Sequence, residues 1–130
     1  MFHNIYTKNA PEPIGPYSQA IQINNYLITS GQIPIDAQSN QIPEDIIKQT
    51  YLTLSNIKSI LLSSNFEVKN IIKTTIYIVN MEDIDKINTV YKKFFLENNT
   101  TYFPARSCIE VQSLPKKVKI EIEAIAYKHD

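Results

Sequence analysis

Two glycines, one arginine and one cysteine serve the whole of this 130-residue chain, and it has no tryptophan. A lone cysteine cannot close an internal disulfide, so a reducing cytoplasm is the expected compartment. Thirteen basic residues balance thirteen acidic ones. Zero net charge gives no electrostatic reason to expect nucleic acid or an anionic membrane as partner. No apolar stretch approaches spanning length, and residues 1–8 lack a signal core. The two histidines, His3 and His129, sit near opposite ends, and no Cys/His group has ligand spacing. Neither metal nor cofactor is therefore expected. What is present, 43% hydrophobic and 20% charged residues, fits a soluble globular protein. One domain over residues 1–130 can bury ~65–70% of its unfolded surface.

Glycine used this sparingly points to backbone need, either a positive φ or close approach by another group. Gly15 lies in the proline-rich arm Asn9-Ala-Pro-Glu-Pro-Ile-Gly-Pro-Tyr-Ser18, which reads as irregular chain leading into a strand. Gly31 ends the run Tyr26–Ser30, where an exposed N–H could meet a ligand. It could equally do no more than make the turn before Gln32-Ile-Pro34.

Arg106 is the only arginine among the thirteen basic residues. Its planar fork grips a carboxylate or phosphate through paired hydrogen bonds, which a lysine ammonium cannot do. The flanking segments read as strands. Over residues 105–112, Ser107, Ile109 and Val111 alternate with Arg106, Cys108, Glu110 and Gln112. Over 118–127, Val118, Ile120, Ile122, Ala124 and Ala126 alternate with Lys119, Glu121, Glu123, Ile125 and Tyr127. If both apolar faces share one side of a sheet, Arg106, Cys108 and Glu121 share the other.

Elsewhere, Tyr17–Ile23 and Tyr26–Ser30 form β-rich runs around a tight turn at Asn24-Asn25. Pro43-Glu-Asp opens a helix with acids in its first turn. Ile47, Tyr51, Leu54, Ile57, Ile60 and Leu61 give that helix a buried stripe, and Asn65 supplies a left-handed end. Residues 71–79 read as a central strand, apolar on both faces. Asn80-Met-Glu-Asp83 resembles a capping box before a second helix, whose stripe is Ile84, Ile87, Tyr91, Phe94 and Phe95. The order β-β-α-β-α-β-β predicts an α+β fold with both helices on one side of a mixed sheet. The face left uncovered is half apolar, which predicts a homo-oligomer.

Six motifs then stand in register: Ile14-Gly-Pro-Tyr-Ser-Gln-Ala20, Thr29-Ser-Gly-Gln-Ile-Pro34, Lys73-Thr-Thr75, Val90-Tyr-Lys-Lys-Phe-Phe95, Phe103-Pro-Ala-Arg-Ser107 and Ile120-Glu-Ile-Glu-Ala-Ile-Ala126. Together they resemble the Rid (YjgF) family, its RidA branch above all, the reactive intermediate deaminases. The resemblance implies a chorismate-mutase-like fold and a homotrimer with clefts between subunits. It also implies hydrolysis of 2-imino acids, the unstable products of PLP-dependent dehydratases, to 2-oxo acids and ammonia. Arg106 matches the clamp for the substrate carboxylate, and Glu121 the residue that positions the attacking water. Gly31 and Cys108 match positions that offer backbone N–H groups. Tyr17, Ser30 and Asn88 match residues lining the cleft. Ile84 and Ile87 depart from the aromatic residues frequent in the second helix, and Asn65 replaces a glycine.

The chemistry agrees with the resemblance. Imine hydrolysis needs a fixed carboxylate, a water held against the C=N carbon and a route for protons, and Arg106 and Glu121 can supply these. No neighbouring histidine activates Cys108 as a nucleophile. Without the resemblance, Glu121 reads as a rim carboxylate paired with Arg106 or Lys119. Two rival readings are a regulatory trimer that binds 2-oxo acids without turnover, and an RNA-cleaving translation inhibitor. Lys116-Lys117-Val118-Lys119 is the only basic cluster that could serve the second. Arg106 and Glu121 on opposite sides of the sheet, or a crevice between them plugged with packed hydrocarbon, would bring the deaminase reading down and leave only a stable scaffold.

Overall fold

The computed structural model describes residues 2–129. Six strands form one mixed sheet in the order β1-β2-β3-β6-β4-β5. They are β1 (Phe2–Ile5), β2 (Ala20–Ile23), β3 (Tyr26–Thr29), β4 (Ile71–Ile78), β5 (Ala105–Glu110) and β6 (Ile120–Tyr127). Helix α1 (Ile46–Ser63) joins β3 to β4, and α2 (Ile84–Glu97) joins β4 to the parallel edge strand β5. The α+β arrangement expected from the sequence is present. The N-terminal strand was not anticipated. Its side chains are mostly exposed, so alternation leaves no signal; pairing with β2 and the contact of Ile5 with the core hold it.

Turn chemistry follows the residues. Asn24 takes a positive φ of 52° between β2 and β3, and Asn65 one of 62° after α1, a conformation asparagine tolerates better than most residues. Helix α1 begins later than Pro43-Glu-Asp suggested. Asp45 is its cap, its carboxylate accepting from the N–H groups of Ile47 and Lys48, which satisfies two orphan donors of the first turn. The same two bonds hold its pKa below the usual carboxylate range. Asn80 caps a single 3-10 turn, Met81–Asp83, that runs into α2.

The stripe expected on α1 is partly wrong. Leu54, Ile57, Ile60 and Leu61 are buried, but Ile47 and Tyr51 are 46% and 50% exposed. Gln49, Thr50, Thr53 and Asn56 are buried instead. Each has a hydrogen-bond partner, which offsets the cost of burying a polar group. Asn56 donates to the carbonyls of Ile33 and Ile35 at 3.2 and 3.0 Å. Gln49 donates to Pro43 O and accepts from Lys119 N–H, both at 2.8 Å. Helix α1 thereby fixes the segments leading from Gly31 and into β6. On α2, Ile87, Tyr91, Phe94 and Phe95 are buried as expected, Ile84 packs at the core's edge, and Val90 joins the stripe.

The helices cover one sheet face, where Leu27, Ile76, Ile78, Ile120 and Ile122 are almost wholly buried. Each such side chain contributes about 1.5–3 kcal/mol of apolar burial. Strand β4 lies inside the sheet, but a bulge between Ile71 and Lys73 turns Ile72 outward. The other face carries Tyr26, Ile28 and Ile109, each more than 40% exposed, with Tyr77, Ile125 and Tyr127 half-buried. Apolar surface of this extent favours association. Size exclusion with light scattering at micromolar concentration is expected to give a mass above that of one chain. A monomer would refute the expectation.

Candidate functional site

Strand register decides where the proposed site residues lie. Ile76 of β4 pairs with Ile122 of β6 on one side and Cys108 of β5 on the other. Cross-strand partners share a face, so Cys108 faces the helices, and so does Arg106 opposite Thr74. Tyr77 pairs with Glu121 and Ile109, which places Glu121 on the uncovered face. The expectation that Arg106, Cys108 and Glu121 share one face is overturned. Its premise fails because the apolar residues of β5, an edge strand, point away from the helices, whereas those of β6 point toward them. The six residues carried over with Glu121 accordingly fall into two groups.

The first group surrounds Glu121. Tyr17, Ser30, Gly31 and Glu121 line a depression of about 330 Å³ with Ile14, Ile33 and Pro115. Tyr17 follows a tight turn at Gly15, and its hydroxyl accepts from Ile14 N–H at 3.1 Å. Ser30 donates its hydroxyl to Ser18 O at 2.6 Å. The Gly31 N–H has no acceptor among the described residues, as a ligand-facing donor requires. Gly31 does not take a positive φ. Close approach explains it: a Cβ there would stand 2.1 Å from Glu121 Oε2 and 2.7 Å from Cδ. Burial, and secondarily the nearby Glu123 carboxylate, push the Glu121 pKa above the usual carboxylate range, because both disfavour the charged form. Glu123 in turn accepts from the Tyr77 hydroxyl at 3.3 Å.

The second group surrounds Arg106. Asn88, Tyr91, Lys92, Phe103, Pro104 and Arg106 line a depression of about 310 Å³ at the junction of α2 and β5. Arg106 has neither a hydrogen bond nor an ion pair with another described residue; Lys69–Glu67 is the salt bridge found among them. The pairing of Arg106 or Lys119 with Glu121 considered from the sequence is absent. Val111 N–H bonds Ile78 O at 2.8 Å, so alternation turns the N–H groups of Arg106 and Cys108 toward the free edge of the sheet. Burial raises the Cys108 thiol pKa, with the Arg106 guanidinium opposing. The scarcer thiolate weakens any covalent route through Cys108.

Sequence reasoning placed Tyr91 in the core stripe and passed over Phe103, Pro104, Ile14 and Pro115 as lining residues. All but Pro115 lie inside quoted motifs or the predicted stripe. Only folding shows that they border a depression. No group of three or more His, Cys, Asp or Glu residues among the described residues could hold a metal, and no helix of the structure is long and apolar enough to cross a membrane.

Comparison with known proteins places these features in context. Residues 7–128 match the family model described as endoribonuclease L-PSP. The chain is 62% identical over 128 residues to a RutC family protein of Buchnera aphidicola subsp. Acyrthosiphon pisum, covering 98% of this chain and 99% of that one. It is 46% identical over 128 residues, with the same coverage, to the 2-iminobutanoate/2-iminopropanoate deaminase of Escherichia coli K12. The crystal structure of E. coli TdcF with bound serine superposes with a TM-score of 0.95 at 46% identity, covering 98% of this chain and 99% of that one.

Proposed function

Since the chain belongs to the endoribonuclease L-PSP family, the Rid (YjgF) family its motifs resemble, we propose that it hydrolyses small 2-imino acids to 2-oxo acids and ammonia. The observation that carries this reading is a guanidinium with no counter-ion of its own, in a relative of a 2-iminobutanoate/2-iminopropanoate deaminase. Its free donors suit a substrate carboxylate. The serine bound to TdcF is a small molecule with such a carboxylate.

Within one chain Arg106 and Glu121 face opposite sides of the sheet, the arrangement expected to defeat the deaminase reading; it does defeat a site inside one chain, and leaves only a cleft between copies. The reading therefore requires two copies, with the Arg106 half-site of one meeting the Glu121 half-site of another, as in the homotrimer the resemblance implies. Arg106, Asn88 and the Cys108 N–H would fix the carboxylate end. Tyr17, Ser30, the Gly31 N–H and Glu121 would face the imine carbon. Glu121 accepts a proton from water as its oxygen bonds to C2. It returns the proton to nitrogen, and the carbinolamine collapses to a carbonyl with loss of ammonia. Atoms balance without metal or cofactor.

Ammonia release from freshly generated 2-iminobutanoate tests the proposal. Arg106→Lys is expected to raise KM and lower kcat, each about tenfold, since a point charge replaces a fork. A wild-type protein that binds 2-oxobutanoate yet does not accelerate hydrolysis would favour the regulatory alternative. RNA cleavage gains nothing from zero net charge and one arginine.

A further inference from the structure

The arginine assigned as the clamp is held by an unusual neighbour for a cation with no ion pair. Arg106 Cζ lies 5.1 Å from the centroid of the Tyr91 ring. That ring is fixed on two other sides. Its hydroxyl lies 2.6 Å from the hydroxyl of Thr74, which is fully buried in β4. Its flank packs against Phe95 with ring centroids 4.7 Å apart. Thr74 is also the register partner of Arg106, so one strand pair sets both the anchor of the ring and the root of the guanidinium side chain.

An acidic neighbour could hold Arg106, but it would occupy the donors that a ligand needs. An aromatic face attracts the cation through its quadrupole and consumes no N–H. We propose that Tyr91 is a positioning residue, its ring serving as the platform that orders the Arg106 guanidinium while leaving its donors free for a carboxylate. This rests on the reading of Arg106 as the clamp. The duller account, in which Tyr91 only fills the core, predicts that its loss alters stability alone.

Because the chain has one arginine, isotope labelling gives one arginine Nε–H signal and permits a test without substrate. In wild type the Arg106 side-chain protons should show a ring-current shift that survives Tyr91→Phe and vanishes in Tyr91→Leu, or in Tyr91→Met if the leucine variant does not fold. In binding and kinetics, Tyr91→Leu should raise the Kd for 2-oxobutanoate and the KM for 2-iminobutanoate about tenfold. Tyr91→Phe should stay within about twofold. In an Arg106→Lys background Tyr91→Leu should add nothing, the signature of two residues acting as one. An unchanged Kd in Tyr91→Leu, an equal loss in Tyr91→Phe, or additivity with Arg106→Lys overturns the positioning role. A wild-type protein that binds no 2-oxobutanoate instead defeats the clamp reading, and the role of Tyr91 with it.

Discussion

Glu121→Ala is expected to abolish most imine hydrolysis while leaving oligomeric state and carboxylate binding in place. A positioned general base contributes about 10²–10⁴-fold, so kcat for ammonia release should fall within that range. The affinity for 2-oxobutanoate, set by Arg106, should change little. Glu121→Gln keeps the volume and removes the base, and should lose as much. Since burial and Glu123 raise the Glu121 pKa, the acidic limb of the pH–rate profile should lie above the range of an ordinary carboxylate. That limb should be absent from the residual activity of Glu121→Gln. The linkage to stability has a definite sign. An acid whose folded pKa is raised binds its proton more tightly in the native state, so its contribution is present at low pH and lost as pH rises through the folded value. Glu121 is only half-buried, so this contribution is small. Wild-type rates in Glu121→Ala, with Arg106→Lys equally unaffected, would show that the chain is not a deaminase acting through these residues.

The second large effect is expected from a single methyl group. Gly31→Ala would set a Cβ 2.1 Å from Glu121 Oε2, 2.7 Å from Cδ and 3.0 Å from Cγ, the first two being distances that real Cβ atoms do not sustain. Because φ is not positive there, alanine strains no backbone. The side-chain end of Glu121 must move instead. Displacement of a reacting group by about 1 Å can cost about 10²-fold, so kcat should drop to that extent while the thermal midpoint stays close to wild type. In a Glu121→Ala background the clash disappears, and Gly31→Ala should then have no further effect on rate. A fully active Gly31→Ala would mean that Glu121 need not stand where the structure puts it.

These two predictions differ in how much of each was legible in advance. Gly31 was visible as one of two glycines placed where an N–H could meet a ligand, but whether it served a positive φ or a close approach was undecided. The fold answers it with a close approach, because the neighbour that needs the space lies about ninety residues away in the chain. Asn24 and Asn65 needed no such help, since a left-handed residue at a turn or helix end is a local requirement written in local residue types. The α1 stripe shows the opposite case. Periodicity chose Ile47 and Tyr51 for burial, yet Gln49 and Asn56 went inside, where they bond backbone groups of Pro43 nearby and of Ile33, Ile35 and Lys119 far along the chain. Hydrophobic pattern has no means of recording such bonds.

Arg106, Cys108 and Glu121 do not share the face expected of them for a similar reason. Alternation along residues 105–112 and 118–127 is a property of each strand alone, and both strands formed. Which apolar face turns toward the helices depends on register against β4, a non-local choice that put Ile109 with Glu121 and Cys108 with Ile76.

By itself the sequence determined the order of every element but the N-terminal strand, the α+β class and the motifs that mark the family, because these follow from short-range periodicity, turn chemistry and motif spacing. Tertiary structure alone decided that the guanidinium and the carboxylate stand on opposite faces, that Tyr91 lies beneath Arg106, and that Gly31 yields its space to Glu121. Each of these is set by strand register or by the packing of segments separated in the chain, where no local pattern reaches.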